Sequence, residues 1–531
     1  MACRVLGFLL ATLAIGISPC SAEGGPDAFV DLGYAKYNGV RLAKSGVDQY
    51  LGMRFAQAPV GDLRWRAPKN PKSVLTAQNA TEFGPICIGV GAALNGSAES
   101  EDCLFVNVFT PSNAKPGAKL PVWLYIQGGA YQTNANHDYN GTEVVQRSGH
   151  NIIVVNFNYR VGAYGFLASE DVRNNGDLNV GLLDQRQLMK WVQKHISKFG
   201  GDPKHVVVHG TSAGAGSLSH HLTAYGGYDD KLFVGGISHA NYWAYQGTVA
   251  QDQYKYDQFV SDVGCSRASD KMRCLRNANV TQIKAGNRVG PLQGAASNNP
   301  PPITYWQPVI DGDFVRGSLY DAFSKGKFVK ASLFASNAAT LDDFSTSLRN
   351  WYPPLSLFSD IPNILDLYPL EPPLPRHAAW FPSLKSALTD SAFVCPADWI
   401  TKSATKYIPS KVWRCRFKME DPSADALGLG TIHGADGAAM WGLSAFGGDA
   451  ALPSFATTNA PIIPVVMDYF ISFIRSLDPN TYRATGSPEW EKWGTGRQML
   501  LETNKTKMET PPQLHTDRCN YWKNMSTKMR I

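Results

Sequence analysis

A chain of 531 residues with 44% apolar content is ordinary for a packed globular protein, which excludes a disordered or fibrous one. Basic residues exceed acidic ones by six and are spread without a long like-charged run, so there is no polybasic footprint for nucleic acid or a membrane surface. The pI of about 8.7 follows from that small excess and carries no further meaning.

At the N-terminus, "MACR" is a short basic start, "VLGFLLATLAIGIS" is an apolar run too short to span a bilayer, and "PCSA" ends in small residues. The pattern predicts a secretory signal over residues 1–22, with residues 23–531 forming one domain that carries long insertions. No later apolar run reaches membrane-spanning length and "NMSTKMRI" is no lipid-anchor tail, so a secreted protein without a membrane anchor is expected. Removing Cys3 and Cys20 with the signal leaves Cys87, Cys103, Cys265, Cys274, Cys395, Cys415 and Cys519, an odd set that predicts one unpaired thiol. None of these has metal-ligand spacing, so neither a metal nor a cofactor is expected. Sequons at Asn79, Asn95, Asn140, Asn279, Asn504 and Asn524 are candidate glycosylation sites.

Three short apolar runs follow in the first half: "VWLYI", "NIIVVNFNY" and "HVVVH". Their apolarity is continuous rather than alternating, which predicts strands covered on both faces of a mostly parallel sheet. Between the last two runs, Leu188, Trp191, Val192, Ile196 and Phe199 fall at helical spacing, and Gly200-Gly201 stops that helix. Strand, helix and strand in alternation predict an α/β fold. Residues 242–330 show few clear runs and read as excursions carried on the sheet. Near the end, "IIPVVMDYFISFIRSLDPN" predicts an apolar helix stopped at Asp478-Pro479.

The stretch "HVVVHGTSAGAGS" sets Ser212 in a G-x-S-x-G motif, Gly210 to Gly214, where a strand enters and a helix leaves. A turn that sharp excludes bulky neighbours and exposes the hydroxyl at the sheet's C-terminal edge. A hydroxyl needs a base and donors for the oxyanion it creates, and "IQGGAY", residues 126–131, is a glycine-rich turn whose amide groups suit the second task.

Together with "LGMRFAQAPVGDLRWRAP", "SEDCLFVNVFTP", "NYRVGAYGFL", "NVGLLDQRQLMKWV", "VIDGDF" and "GTIHGADGAAMWG", these segments make the chain resemble the type-B carboxylesterases, which include cholinesterases and fungal lipases. The resemblance spans nearly the whole mature chain. It implies an α/β-hydrolase fold, with a mostly parallel central sheet flanked by helices and large insertions. It implies Ser212 as nucleophile, His433 as general base, and the N–H groups of Gly129, Ala130 and Ala213 as oxyanion hole. It also implies disulfides Cys87–Cys103, Cys265–Cys274 and Cys395–Cys519 with Cys415 left over, while sequence leaves a Cys395–Cys415 bridge as the alternative. Arg54 with Glu101 and Arg160 with Asp184 resemble the family's structural ion pairs.

One departure concerns the third triad member. Where the family has a glutamate, an ungapped alignment places Thr340 or Leu341, and the nearest carboxylates are Asp342 and Asp343. Asp342 is the first candidate acid, with Asp343 or no carboxylate at all as the alternatives; losing the orienting carboxylate of such a triad costs about 10⁴ in kcat. Thr211 replaces the acidic residue common before the nucleophile, and Gln127 stands where several relatives have histidine or an aromatic. Both changes predict a site less negative than a cholinesterase gorge. Trp243, Trp306, Trp380 and Phe381 are candidates to line it. The expected activity is a secreted serine esterase acting on a small, neutral organic ester, with no nucleic-acid partner. The alternatives are a non-catalytic binding protein, or an acyltransferase or cyclase of natural-product metabolism.

Overall fold

The computed structural model describes residues 28–91, 98–134, 139–295, 302, 304–336, 348, 350–356, 360–374, 377–446 and 452–531. The expected signal segment and Asn95 lie outside the described residues. Among the described residues the main sheet has eleven strands: β1 (Val40–Leu42), β2 (Val47–Arg54), β3 (Phe105–Pro111), β4 (Leu120–Ile126), β5 (Ile153–Phe157), β6 (Gly201–Thr211), β7 (Gly235–His239), β8 (Ser332–Ala335), β9 (Val412–Phe417), β10 (Gln498–Leu501) and β11 (Lys507–Glu509). Their spatial order is β11-β10-β9-β8-β7-β6-β4-β5-β3-β2-β1. Strands β4 to β10 run parallel, and antiparallel strands close both edges.

Continuous apolarity in the central strands has the predicted cause. On β4, Val122, Leu124 and Ile126 enter the core on one face, while Trp123 and Tyr125 enter an aromatic core with Trp441 and Phe470 on the other. Helix α1 (Val180–His195) and the 3-10 turn Ile196–Phe199 bury all five residues of the predicted stripe, and Gly200 ends the segment at φ 90°. Helix α2 (Ala213–Gly227), broken at Ala224–Gly226, follows β6. The described residues of 242–330 hold more regular structure than their sequence suggests. Helix α3 (Val249–Val263) starts at a reciprocal Thr248–Gln251 capping box and packs Phe259, Val260 and Val263 against Trp65 and Ile283. Helix α4 (Cys395–Thr405) continues from a wider π turn, Asp390–Val394. The predicted late helix, α5 (Ile462–Ser476), ends at Leu477 in a left-handed conformation directly before Asp478-Pro479, and helix α6 (Gln513–Met529) closes the chain.

Disulfides join Cys87 to Cys103, Cys265 to Cys274 and Cys395 to Cys519. Cys415, on β9, is a free buried thiol whose pKa burial pushes well up. Arg160 and Asp184 form a buried pair at 2.6 Å. The Arg54–Glu101 pairing does not form: Arg54 binds Asp102 at 2.6 Å, and Glu101 binds Arg64 at 2.6 Å. Glu101 turns inward because the buried guanidinium of Arg64 also donates to the carbonyls of Leu275, Arg276 and Ala278. That leaves the adjacent, half-exposed Asp102 for Arg54.

Candidate active site

Strand order reverses around β4, which has β5 on one side and β6 on the other, so the C-terminal ends of β4 and β6 form the topological switch point at which open α/β sheets bind ligands. Register brings the two following turns together: Gly210 pairs with Ile126 of β4, and Thr211 pairs with His239 of β7. Ser212, half-buried, comes next, with φ 57° and ψ −122°. A non-glycine residue there stores about 1–3 kcal/mol of strain. Its N–H donates to His239 O at 3.0 Å, and its carbonyl accepts from the N–H groups of Ala215 and Gly216 at 2.9 and 3.0 Å. The flanking glycines are steric necessities. A Cβ on Gly210 would lie 2.0 Å from Gly214 O, and one on Gly214 would lie 2.1 Å from Ile126 O.

The turn after β4 lies directly against this elbow. A Cβ on Gly128 would sit 3.0 Å from Ser212 Cβ and 2.8 Å from Thr211 O. Gly129, Ala130 and Tyr131 all have positive φ (109°, 55° and 59°), and Gly129 O accepts from the N–H groups of Gln132 and Thr133. Gln127 fastens the turn from below: its side-chain amide donates to Phe157 O at 3.0 Å, and its main-chain carbonyl accepts from Tyr159 OH at 2.9 Å. Ala213 opens α2, so its N–H is one of the orphan donors of a helix start.

His433 lies in a turn after β9, where Ala435 N–H donates to Ile432 O at 3.2 Å and Gly437 N–H donates to Gly434 O at 3.1 Å. Its exposed ring packs 5.0 Å from the Phe393 ring, centroid to centroid. Phe393 sits on the π turn, and its ring also lies 5.3 Å from Tyr242. Tyr242 O presses on α2, 2.5 Å from where a Cβ of Gly216 would be. A packed line thus runs from the imidazole back to the helix that Ser212 caps. The candidate acid Asp342, with Thr340, Leu341 and Asp343, lies outside the described residues.

A set of polar residues under the elbow was not singled out from the sequence. His239 Nε2 lies 2.6 Å from Asp436 Oδ2, and Thr211 Oγ1 lies 2.9 Å from His239 Nδ1 and 3.4 Å from His209 Nε2. Trp123 Nε1–H donates to His209 Nδ1 at 3.2 Å. His209, His239 and Asp436 are fully buried. Burial, with His239 adding to it, holds the His209 pKa well below the ordinary histidine value. The available signal was one histidine at the C-terminal end of each of two apolar strands, "HVVVH" and "GISH".

Of the candidate lining aromatics, Trp243, Trp306 and Phe381 are core residues and Trp380 is exposed. Trp243 wedges between Tyr320 and Phe323 with its indole N–H on Ser219 Oγ. Among the described residues, no group of three or more His, Cys, Asp or Glu could hold a metal ion.

The carboxylesterase family model matches residues 26–340 and 360–522. Secreted lipase 4 of Gibberella zeae is 27% identical, over 91% of this chain and 89% of its own length. Lipase 1 of Geotrichum candidum is 29% identical, over 86% of this chain and 88% of its own. Among solved structures, Aspergillus niger EstA superposes with a TM-score of 0.92 at 46% identity, covering 95% of this chain and 99% of its own.

Proposed function

The chain belongs to the carboxylesterase family, and from that membership we propose that it is a secreted serine carboxylesterase acting on a neutral organic ester. The observation that carries the serine mechanism is the strained Ser212, with the glycine turn packed so closely against it that a Cβ on Gly128 would lie 3.0 Å from the Ser212 Cβ. In this reading that turn and the start of α2 supply the N–H groups of Gly129, Ala130 and Ala213 as the oxyanion hole.

In this reading Ser212 Oγ attacks the ester carbonyl as its proton passes to His433. The oxyanion is held by the three amides, an effect worth about 3–4 kcal/mol for a single donor. The imidazolium then gives its proton to the departing alcohol, leaving an acyl-serine. Water, activated by His433, attacks that acyl group, and the carboxylic acid leaves as Ser212 regains its proton. In this reading the imidazole is oriented by Asp342 or Asp343.

Uncharged Thr211 and Gln127 beside the nucleophile support a neutral substrate. The lipases and esterases among the relatives support hydrolysis over binding alone or acyl transfer. Three disulfides and relatives named secreted lipases support an oxidising, extracellular destination. Exposed sequon asparagines at Asn79, Asn279, Asn504 and Asn524, and half-buried Asn140, support glycosylation. No helix among the described residues is long and apolar enough to cross a membrane.

Stopped-flow hydrolysis of a short-chain p-nitrophenyl ester tests the reading. Wild type releases a stoichiometric burst of nitrophenolate followed by steady turnover, and Ser212→Ala shows neither. A wild-type protein without ester turnover overturns it.

A further inference from the structure

The polar residues beneath the elbow form a chain whose direction is set by its two ends. An indole N–H only donates, so His209 Nδ1 must accept from Trp123, and the neutral ring then carries its hydrogen on Nε2. His209 Nε2–H therefore donates to Thr211 Oγ1, and the Thr211 hydroxyl donates onward to His239 Nδ1. That leaves the His239 hydrogen on Nε2, which donates to the carboxylate of Asp436. Each of the four bonds points the same way and each polarises the next.

His239 stands where two chemical segments meet. Its main-chain carbonyl takes the Ser212 N–H, and its ring takes the hydroxyl of Thr211, the residue before the nucleophile. Its other nitrogen holds Asp436, three residues beyond His433 and at the exit of the same turn. Asp436 Oδ1 is buried with no hydrogen-bond partner among the described residues, so this carboxylate carries an uncompensated desolvation cost. An apolar residue would fill the position without that cost but could not grip an imidazole.

We propose that His239 and Asp436 are positioning residues, and that the one-way chain from Trp123 through His209, Thr211 and His239 to Asp436 clamps the strand end carrying Ser212 to the turn carrying His433. The clamp rests on the serine mechanism proposed above. It sets the distance between nucleophile and base and touches no substrate, so its loss falls on kcat. A displacement of about 1 Å between reacting groups lowers turnover about 10²-fold.

Thr211→Val keeps the side-chain shape and removes the hydroxyl in the middle of the chain; Thr211→Ser keeps the hydroxyl. Active sites are titrated with an organophosphate, so that turnover is counted per competent Ser212 and misfolded protein drops out. Thr211→Val and Asp436→Ala are expected to lose about 10–100-fold in kcat per titrated site with KM within about twofold, and Thr211→Ser is expected to recover most of the loss. Thr211→Val turning over at the wild-type rate per site, Thr211→Ser failing to rescue, or KM rising in step with the fall in kcat would each overturn the clamp. Failure of the wild type to be labelled or to turn over would instead remove the serine mechanism beneath it.

Discussion

Nε2 of His239 lies 2.6 Å from Oδ2 of Asp436, both fully buried, and the contact joins the end of β7 to the turn that carries His433. The same histidine accepts the Ser212 N–H through its carbonyl. Parts of the chain nearly two hundred residues apart thus meet on one buried imidazole.

Strain at Ser212 predicts a trade between stability and activity. With φ 57° and ψ −122°, the position suits glycine better than any residue with a Cβ. Ser212→Gly abolishes turnover yet unfolds at a higher temperature than Ser212→Ala, by an amount equivalent to about 1 kcal/mol. Calorimetry of the two variants side by side checks this.

Gly214 faces the sheet rather than the substrate. A methyl group there would meet Ile126 O at 2.1 Å, main chain that cannot give way without moving β4. Gly214→Ala is expected to destabilise the fold by about 3 kcal/mol and to displace the glycine turn along with it. Urea unfolding midpoints report the first effect and loss of burst amplitude the second.

Asp390, on the π turn beside Phe393, is buried, and burial raises its pKa to about 6 against the pull of Arg518. Its native state therefore holds a proton that the unfolded chain gives up near pH 4. This contribution to stability is full below about pH 4 and is lost as pH rises through about 6. Asp390→Asn keeps an acceptor for Tyr368 OH, which donates to Asp390 Oδ2 at 2.9 Å. The variant should match wild type near pH 4 and exceed it at pH 7.5 by about 2 kcal/mol. Denaturant titrations at both pH values decide it.

The Cys395–Cys519 bridge spans 124 positions and ties α4 to α6, whereas Cys265–Cys274 spans 9. Loop-closure entropy makes the long bridge worth about 5 kcal/mol and the short one about 2–3 kcal/mol. Replacing both cysteines of each pair by serine should lower the unfolding midpoint more for the Cys395/Cys519 variant.

Much of this was legible in the residues themselves. Central strands declared themselves by unbroken apolarity, because a strand covered on both faces needs no polar side, and Ser212 by glycines that the structure shows to be sterically forced. The edge strands β1 and β2 lacked such a signature, and the helices of residues 249–286 depend on caps and on packing against distant Trp65. Ion pairing was misassigned at Arg54 because adjacent carboxylates at 101 and 102 offer the same chemistry, and only the fold decides which one turns inward. His209 and His239 were passed over because one buried polar residue on an apolar strand has no period, and Asp436 because its partner is remote in sequence.

Labelling with a fluorophosphonate probe, followed by peptide mapping, tests the assignment of Ser212 most directly. The predicted result is one adduct, on the peptide containing Ser212, absent from Ser212→Ala. An unlabelled wild type, or an adduct on another residue that persists in Ser212→Ala, would contradict it.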